Sequence, residues 1–186
     1  MSLNVGSSIN TSRVSFGQAV IFVGPAGSTP STDIGLIGED GGEIELQTEF
    51  GDVMAGNPAL SVMRYAKTQA AFLRVRSVEW SANLMSYGLG TGVTSISGTN
   101  EILRFGGQPC PTELAILLQH RKCTAAHTVN WRFWRVAPES GGFTVQFGQE
   151  HHGFDHSWKA LRSTTNWAGT SLATTSMLIE CDIALS

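Results

Sequence analysis

Residues 151–156 (HHGFDH) carry the side-chain types that bind transition metals. Their three imidazoles and one carboxylate are donors that suit zinc or iron, and cysteines elsewhere in the chain are possible further ligands. The spacing matches no ligand motif with an understood mechanism, however. We therefore favour a polar turn that ends at Trp158 over a metal site, and we expect no bound cofactor.

Residues 88–92 (GLGTG) are similar to a phosphate-binding loop in glycine content alone. No Lys-Ser or Lys-Thr pair follows them, and they leave a predicted helix where a nucleotide loop would connect a strand to one. The chain has no G-x-S-x-G nucleophile elbow. The sequence therefore predicts no catalytic residues, and we expect a protein that is not an enzyme.

Residues 131–135 (WRFWR) alternate aromatic and basic side chains, a pattern able to stack and clamp single-stranded nucleic acid. In a strand, however, Trp131, Phe133 and Arg135 share one face while Arg132 and Trp134 share the other. Aromatic rings in a core strand with arginines at its margins fit this split better. The net charge of −3 also shows no general basic footprint for nucleic acid.

Residues 43–50 (EIELQTEF) show the clearest strand alternation in the chain. One predicted face consists of Ile44, Leu46, Thr48 and Phe50, and the other of Glu43, Glu45, Gln47 and Glu49. Such a strand buries one side and presents carboxylates from the other. The simplest interpretation places Glu43, Glu45 and Glu49 in solvent. If the strand of Arg74 and Arg76 pairs with it, these cations partly neutralise the carboxylates.

The composition indicates a single, mostly β domain. The chain has 186 residues, 21 of them glycine, and only 15% are charged, which suits a surface partly covered by partner subunits. The three cysteines are odd in number and widely spaced, which favours free thiols in a reducing compartment. The N-terminal sequence shows no signal-peptide pattern, so we expect a soluble protein made in the cytoplasm.

The pattern along the chain predicts a flexible N-terminal arm over residues 1–15 and one domain over residues 16–186. We expect one helix near residues 79–88, with Ser81 to cap it and Gly88 to end it. About ten short strands indicate a β-sandwich or barrel. They are expected at residues 19–24, 34–38, 43–50, 59–65, 70–78, 102–105, 113–120, 128–136, 143–148 and 177–185, with a loop at 51–58 and a polar break at 67–69.

The order of these elements resembles the tail tube, or major tail, proteins of long-tailed bacteriophages. The similar pieces are AVIFVGPAGSTPSTD, IGLIGEDGGEIEL, FGDVMAGNP, ALSVMRYAKTQAAFLRVRSVEW, SANLMSYGLGTG and FDHSWKALR. The resemblance covers residues 17–92 and, more weakly, 128–185, whereas residues 93–127 have no counterpart in it.

This resemblance implies a β-sandwich with one short flanking helix. Such proteins form homohexameric rings, which stack into a tube whose inner wall is a β-barrel. It implies a structural virion protein, placed in the viral tail, that conducts DNA during ejection without binding it specifically. The implied partners are further copies of the chain and the tape-measure, terminator and distal tail proteins, with no membrane involved.

The resemblance also implies roles for individual residues. Glu43, Glu45 and Glu49 are expected to face the lumen, where negative charge keeps DNA phosphates from adhering. A loop that reaches the next ring is expected at Gly51, Asp52, Val53, Met54, Ala55, Gly56 and Asn57. Alternatives left open are a tail terminator, a neck adaptor, a contractile-system inner tube, a carbohydrate-binding β-sandwich with its five tryptophans, and a small metalloenzyme.

Overall fold

A computed structural model describes residues 15–35, 37–107, 110–122, 128–139, 153–172 and 178–183. These residues form a mostly β protein with one helix, as predicted. In chain order the elements are β1 (Ser15–Pro25), β2 (Thr32–Asp33), β3 (Ile37–Ala55), β4 (Leu60–Ser77), α1 (Ala82–Leu89), β5 (Gly92–Ser97), β6 (Asn100–Phe105), β7 (Leu114–Lys122), β8 (Thr128–Pro138), β9 (Phe154–Ala160) and β10 (Ile179–Ile183).

Eight of these strands form one antiparallel sheet, in which seven follow the order β2-β1-β7-β8-β9-β4-β3 and β10 pairs with β8 outside this order. Strand β8 is the branch point. One of its edges pairs with β7, and its other edge pairs with β10 over residues 129–133 and with β9 over residues 136–138. Strands β5 and β6 form a separate two-stranded hairpin.

A single hydrophobic core joins the two ends of this sheet. Ile21 and Val23 of β1 belong to the same buried cluster as Leu73 and Val75 of β4, although three strands separate β1 from β4 in the sheet order. The sheet therefore curls so that its ends face each other, which is consistent with a β-sandwich. Trp158 of β9 lies within this cluster and is the largest fully buried side chain.

Helix α1 packs against β9 at the end of the core. Gly88 was expected to end the helix, but it lies inside the last turn. Its lack of a side chain makes room for the His156 ring, because a Cβ on residue 88 would be 2.4 Å from the His156 Nδ1. Gly90, in the left-handed conformation, is the C-cap. The Ser81 side chain does not cap the N-terminus. Instead, Glu101 of β6 accepts hydrogen bonds from the Ala82 amide and the Ser81 hydroxyl.

Several predicted boundaries differ from the structure. The strand expected at residues 34–38 is found only in part: Ile34 is buried outside any strand and Gly35 is also outside one, whereas Ile37 and Gly38 begin β3. The expected polar turn before Trp158 is the buried strand β9, whose alternate residues enter the core. The strand expected at 143–148 and most of the N-terminal arm (residues 1–14) lie outside the described residues.

Candidate assembly surface

Strands β3 and β4 continue far beyond the core as a two-stranded ribbon, defined here as residues 46–71. The register is continuous from Leu46 opposite Ala71 to Ala55 opposite Leu60, with bulges after Glu49 and Val53. At about 3.3 Å per residue, the ribbon extends roughly 30 Å from the core. No strand of the described residues pairs with the outer edge of β3, and β9 pairs with β4 only at residues 72–77.

The ribbon exposes an unusual amount of apolar surface. Eight of its large hydrophobic side chains are exposed: Leu46, Phe50, Val53, Met54, Leu60, Val62, Met63 and Tyr65. Most of them lie toward the turn, and Met54 remains 56% exposed. Exposed apolar patches of this kind mark interaction surfaces. A long unpaired apolar edge is also a template for pairing with another chain.

The expected loop at residues 51–57 is mostly strand. Gly51, Asp52, Val53, Met54 and Ala55 all pair with β4, and the turn begins only at Gly56 and Asn57. The expected break at 67–69 is likewise strand, with Lys67 at a bulge. Glycine and polar residues favour a turn only weakly. In both segments the opposite strand satisfies the backbone hydrogen bonds, and this stabilises the strand conformation.

The acidic row lies at the base of this ribbon, on the strand predicted for it. Arg74 forms an ion pair with Glu45, which confirms the expected neutralisation across the strand pair. Lys67 forms an ion pair with Glu49 at 2.9 Å, and the Thr68 hydroxyl donates to the same carboxylate at 3.0 Å.

Both ion-paired carboxylates are ionised more readily than an ordinary glutamate. A hydrogen bond from the Gln47 amide, followed by one from Arg74, lowers the pKa of Glu45. Hydrogen bonds from Lys67 and Thr68 lower the pKa of Glu49. Glu45 and Glu49 therefore remain negatively charged near neutral pH, each paired with a cation.

The face of the sheet that carries Glu43, Glu45 and Glu49 also carries charged residues that the sequence pattern did not link to them. The register places Arg76 beside Asp155, and Lys159 beside Phe72, so that β9 extends the charged face. Arg74 also approaches Glu139 at 3.6 Å. The face is thus a mixed ladder of acids and bases, because strands distant in sequence contribute to it. The strand order that brings them together is not visible in local patterns.

Only part of residues 151–156, considered above as a metal site, lies within the described residues. His151 and His152 lie outside the described residues. His156 is 2% exposed, stacks on Trp158 with ring centroids 5.1 Å apart, and finds no hydrogen-bond partner for either nitrogen among the described residues. Burial lowers the pKa of His156 to about 4, and the Asp155 carboxylate acts in the opposite direction. In the described part of the chain, no three His, Cys, Asp or Glu side chains are grouped as a metal site.

The aromatic-basic segment is a core strand, as favoured. Phe133 and Trp134 of β8 are buried. Arg132 donates to Glu180 and Asp182 of β10, and Arg135 donates to Glu113. These guanidinium groups are engaged in ion pairs within the chain, an arrangement that serves strand packing and leaves little for phosphate binding. Cys110 and Cys181 are free thiols, and Cys123 lies outside the described residues.

Comparison of the chain with protein-family models and with curated protein sequences gives no match. In the described residues, no helix has the length and apolar character needed to cross a membrane.

Proposed function

We propose that this chain is a tail tube protein, a structural virion component whose hexameric rings stack into a tube that conducts viral DNA. The observation that carries the proposal is the ribbon of residues 46–71. It is long, apolar and unsupported by the rest of the described chain. In a monomer the apolar side chains of the ribbon stay in water, whereas in a polymer they can be buried between subunits.

Energetics favour a partner for the ribbon. An isolated two-stranded hairpin is at best marginally stable in water, because it cannot bury both of its faces. The ribbon also matches one side of a standard protein–protein interface, which involves roughly 20–30 residues. Contact with further copies of the chain would bury the exposed apolar side chains and stabilise the ribbon.

Ring formation would also resolve the open edge of β3. In the proposed ring, the edge of β3 within the ribbon hydrogen-bonds to the edge of β4 in the ribbon of the next subunit, and repetition around a sixfold axis closes the ribbons into a barrel. At residues 72–77 the outer edge of β4 already pairs with β9, so Glu49 would lie within this barrel and Glu43 and Glu45 at its mouth. A closed barrel has no free edge. The rest of each subunit, the curled sheet with α1, then forms the outer β-sandwich.

The bore of this barrel would be lined by the face that carries Glu43, Glu45 and Glu49. Arg74 and Lys67 reduce the charge of this wall in each subunit. A wall that is weakly negative repels phosphates without a strong field, so DNA passes through and is not held. The tape-measure, terminator and distal tail proteins are the corresponding partners within the virion.

Reversing the charge of the wall is expected to hinder DNA passage. Virions carrying Glu43→Lys with Glu45→Lys should form tubes of normal length but deliver DNA about tenfold less efficiently, because lysines in the bore attract phosphates. Delivery is measured as infectivity per particle. The matched control is Glu43→Gln with Glu45→Gln, which removes charge without adding cations and should have a smaller effect. Normal delivery by the lysine variant would contradict a lumenal position.

Negative-stain electron microscopy of the purified protein tests the proposed function most directly. The expected result is rings of six subunits and open-ended stacks of such rings with a central channel. Stacks of indefinite length also separate a tube protein from a tail terminator or neck adaptor, which would stop at single rings. A protein that remains monomeric at high concentration would refute the proposal.

A further inference from the structure

The imidazole of His156 lies where the last turn of α1 packs on the sheet. Gly88 of α1 approaches this ring so closely that no side chain fits between them. The imidazole lies flat on the ring of Trp158, with an angle of 4° between the two planes. The Trp158 indole in turn donates a hydrogen bond to the Tyr87 carbonyl at 3.2 Å. The end of α1 is therefore held on the sheet by close contact with these two rings.

The surroundings of His156 offer little compensation for a positive charge. Neither ring nitrogen has a hydrogen-bond partner among the described residues, and the residue is buried. Helix α1 (ANLMSYGL) contains no acid or base, and its one titratable group is the Tyr87 phenol. The charged side chains at neighbouring positions all lie on the opposite face of the sheet: Asp155, Arg74, Arg76, Glu43 and Glu139. A proton on His156 would therefore create a buried cation without a partner.

Helix α1 is also the element that holds the β5–β6 hairpin on the protein. Within the described residues the hairpin packs chiefly against α1, and Glu101 of β6 accepts hydrogen bonds from the Ala82 amide and the Ser81 hydroxyl. The helix contributes Leu84 to the core cluster. Removal of residues 82–105 from the sheet would leave all pairing within the eight-stranded sheet intact. Units of this kind can open locally while the rest of a protein stays folded.

We infer that residues 82–105, which comprise α1 and its hairpin, form a flap that lifts from the sheet when His156 is protonated. Once Gly88 moves away, both ring nitrogens can reach water, so proton binding and opening favour each other. Burial keeps the pKa of His156 at about 4 in the closed form, against an ordinary value of 6.5. Acid between these two values therefore shifts the flap toward its open form. The inference does not depend on the proposed function.

Hydrogen–deuterium exchange of the wild-type protein, followed by mass spectrometry at pH 7.5 and pH 5, tests this inference. Exchange rates are corrected for the pH dependence of exchange in an unfolded chain. Peptides from α1, β5 and β6 should share one level of protection, lower than that of β1 and β7, because the flap opens without global unfolding. At pH 5 the protection of the flap should fall about thirtyfold, because the open form gains about tenfold per pH unit below 6.5.

His156→Leu separates this histidine from other effects of acid. Leucine cannot be protonated, so the flap of this variant should keep at pH 5 the protection that it has at pH 7.5. The matched control is Glu101→Gln, which removes the titratable group at the start of α1 and still offers an oxygen to the Ala82 amide. This control should keep the wild-type response to pH.

Gly88→Ala should open the flap without acid, because its Cβ and the His156 ring cannot occupy the same place. Protection of its flap at pH 7.5 should fall by about tenfold or more, the result of overpacking, while β1 and β7 keep theirs. This variant also decides the matter if His156→Leu does not fold. The inference would be overturned by a flap as well protected as β1 and β7 at both pH values, by a loss at pH 5 that persists in His156→Leu, or by unchanged protection in Gly88→Ala.

Discussion

Replacement of Met54 by aspartate is expected to abolish tube elongation while leaving the fold and the ring intact. Met54 is exposed on the ribbon and contributes nothing to the core cluster. Its substitution should therefore change the free energy of unfolding by no more than about 0.5 kcal/mol. The resemblance implies that residues 51–57 reach the next ring, so Met54 would be buried when rings stack. A carboxylate buried there without a partner costs several kcal/mol, and the cost is repeated around the ring.

Tube length in electron micrographs and sedimentation velocity measure this effect. Wild-type protein should give long stacks, and Met54→Asp should give only single rings. Met54→Leu is the matched control, because it keeps an apolar side chain of similar volume and should stack normally. Long tubes formed by the aspartate variant would show that residues 51–57 do not join rings.

Acidification is expected to destabilise the subunit through His156. The unfolded chain has an ordinary histidine pKa near 6.5, whereas burial lowers the pKa in the folded protein to about 4. Between these values the unfolded chain binds a proton that the folded protein does not, so the free energy of unfolding falls as the pH falls. The slope is about 1.4 kcal/mol per pH unit, and the full loss is of order 3 kcal/mol.

Urea unfolding at pH 7.5 and pH 5, followed by tryptophan fluorescence in the Met54→Asp background, measures this loss without interference from stacking. His156→Leu should remove most of the difference between the two pH values, because leucine fills the site beside Trp158 and cannot be protonated. Ser77→Ala is the matched control: its buried hydroxyl also has no hydrogen-bond partner among the described residues, but it does not titrate. An unchanged pH dependence in His156→Leu would disprove the role of His156.

The local elements with strong periodicity were predicted well. Residues 43–50 and 128–136 were expected as strands and lie within β3 and β8. The helix was expected at 79–88 and is found at Ala82–Leu89. Both periodicities arise from residues that are neighbours in sequence. The burial predicted for one face of residues 43–50 was wrong, however, because Ile44 packs against the core but Leu46 and Phe50 are 59% and 53% exposed on the ribbon.

The errors fall where a distant strand decides the conformation. Residues 51–55 and 67–69 carry turn-like glycine and polar side chains, yet each extends β3 or β4 because the other strand satisfies its hydrogen bonds. The segment from residue 151 to Trp158 was predicted to be a polar turn, but in its described part β4 pairs with residues 154–159 and β8 with residues 158–160. Propensity is a weak preference, and such pairing outweighs it.

The amino-acid sequence alone determined the mostly β composition, the single helix and the alternation that puts three carboxylates on one strand face, because these depend on residue type and short spacing. The tertiary structure decided that the strand of Arg74 does pair with this one, so that Arg74 meets Glu45, and it alone placed Lys67 beside Glu49. It also decided that residues 46–71 extend beyond the core as a two-stranded ribbon with exposed apolar side chains. Strand order and register set these relations, and they depend on contacts between residues far apart in the chain.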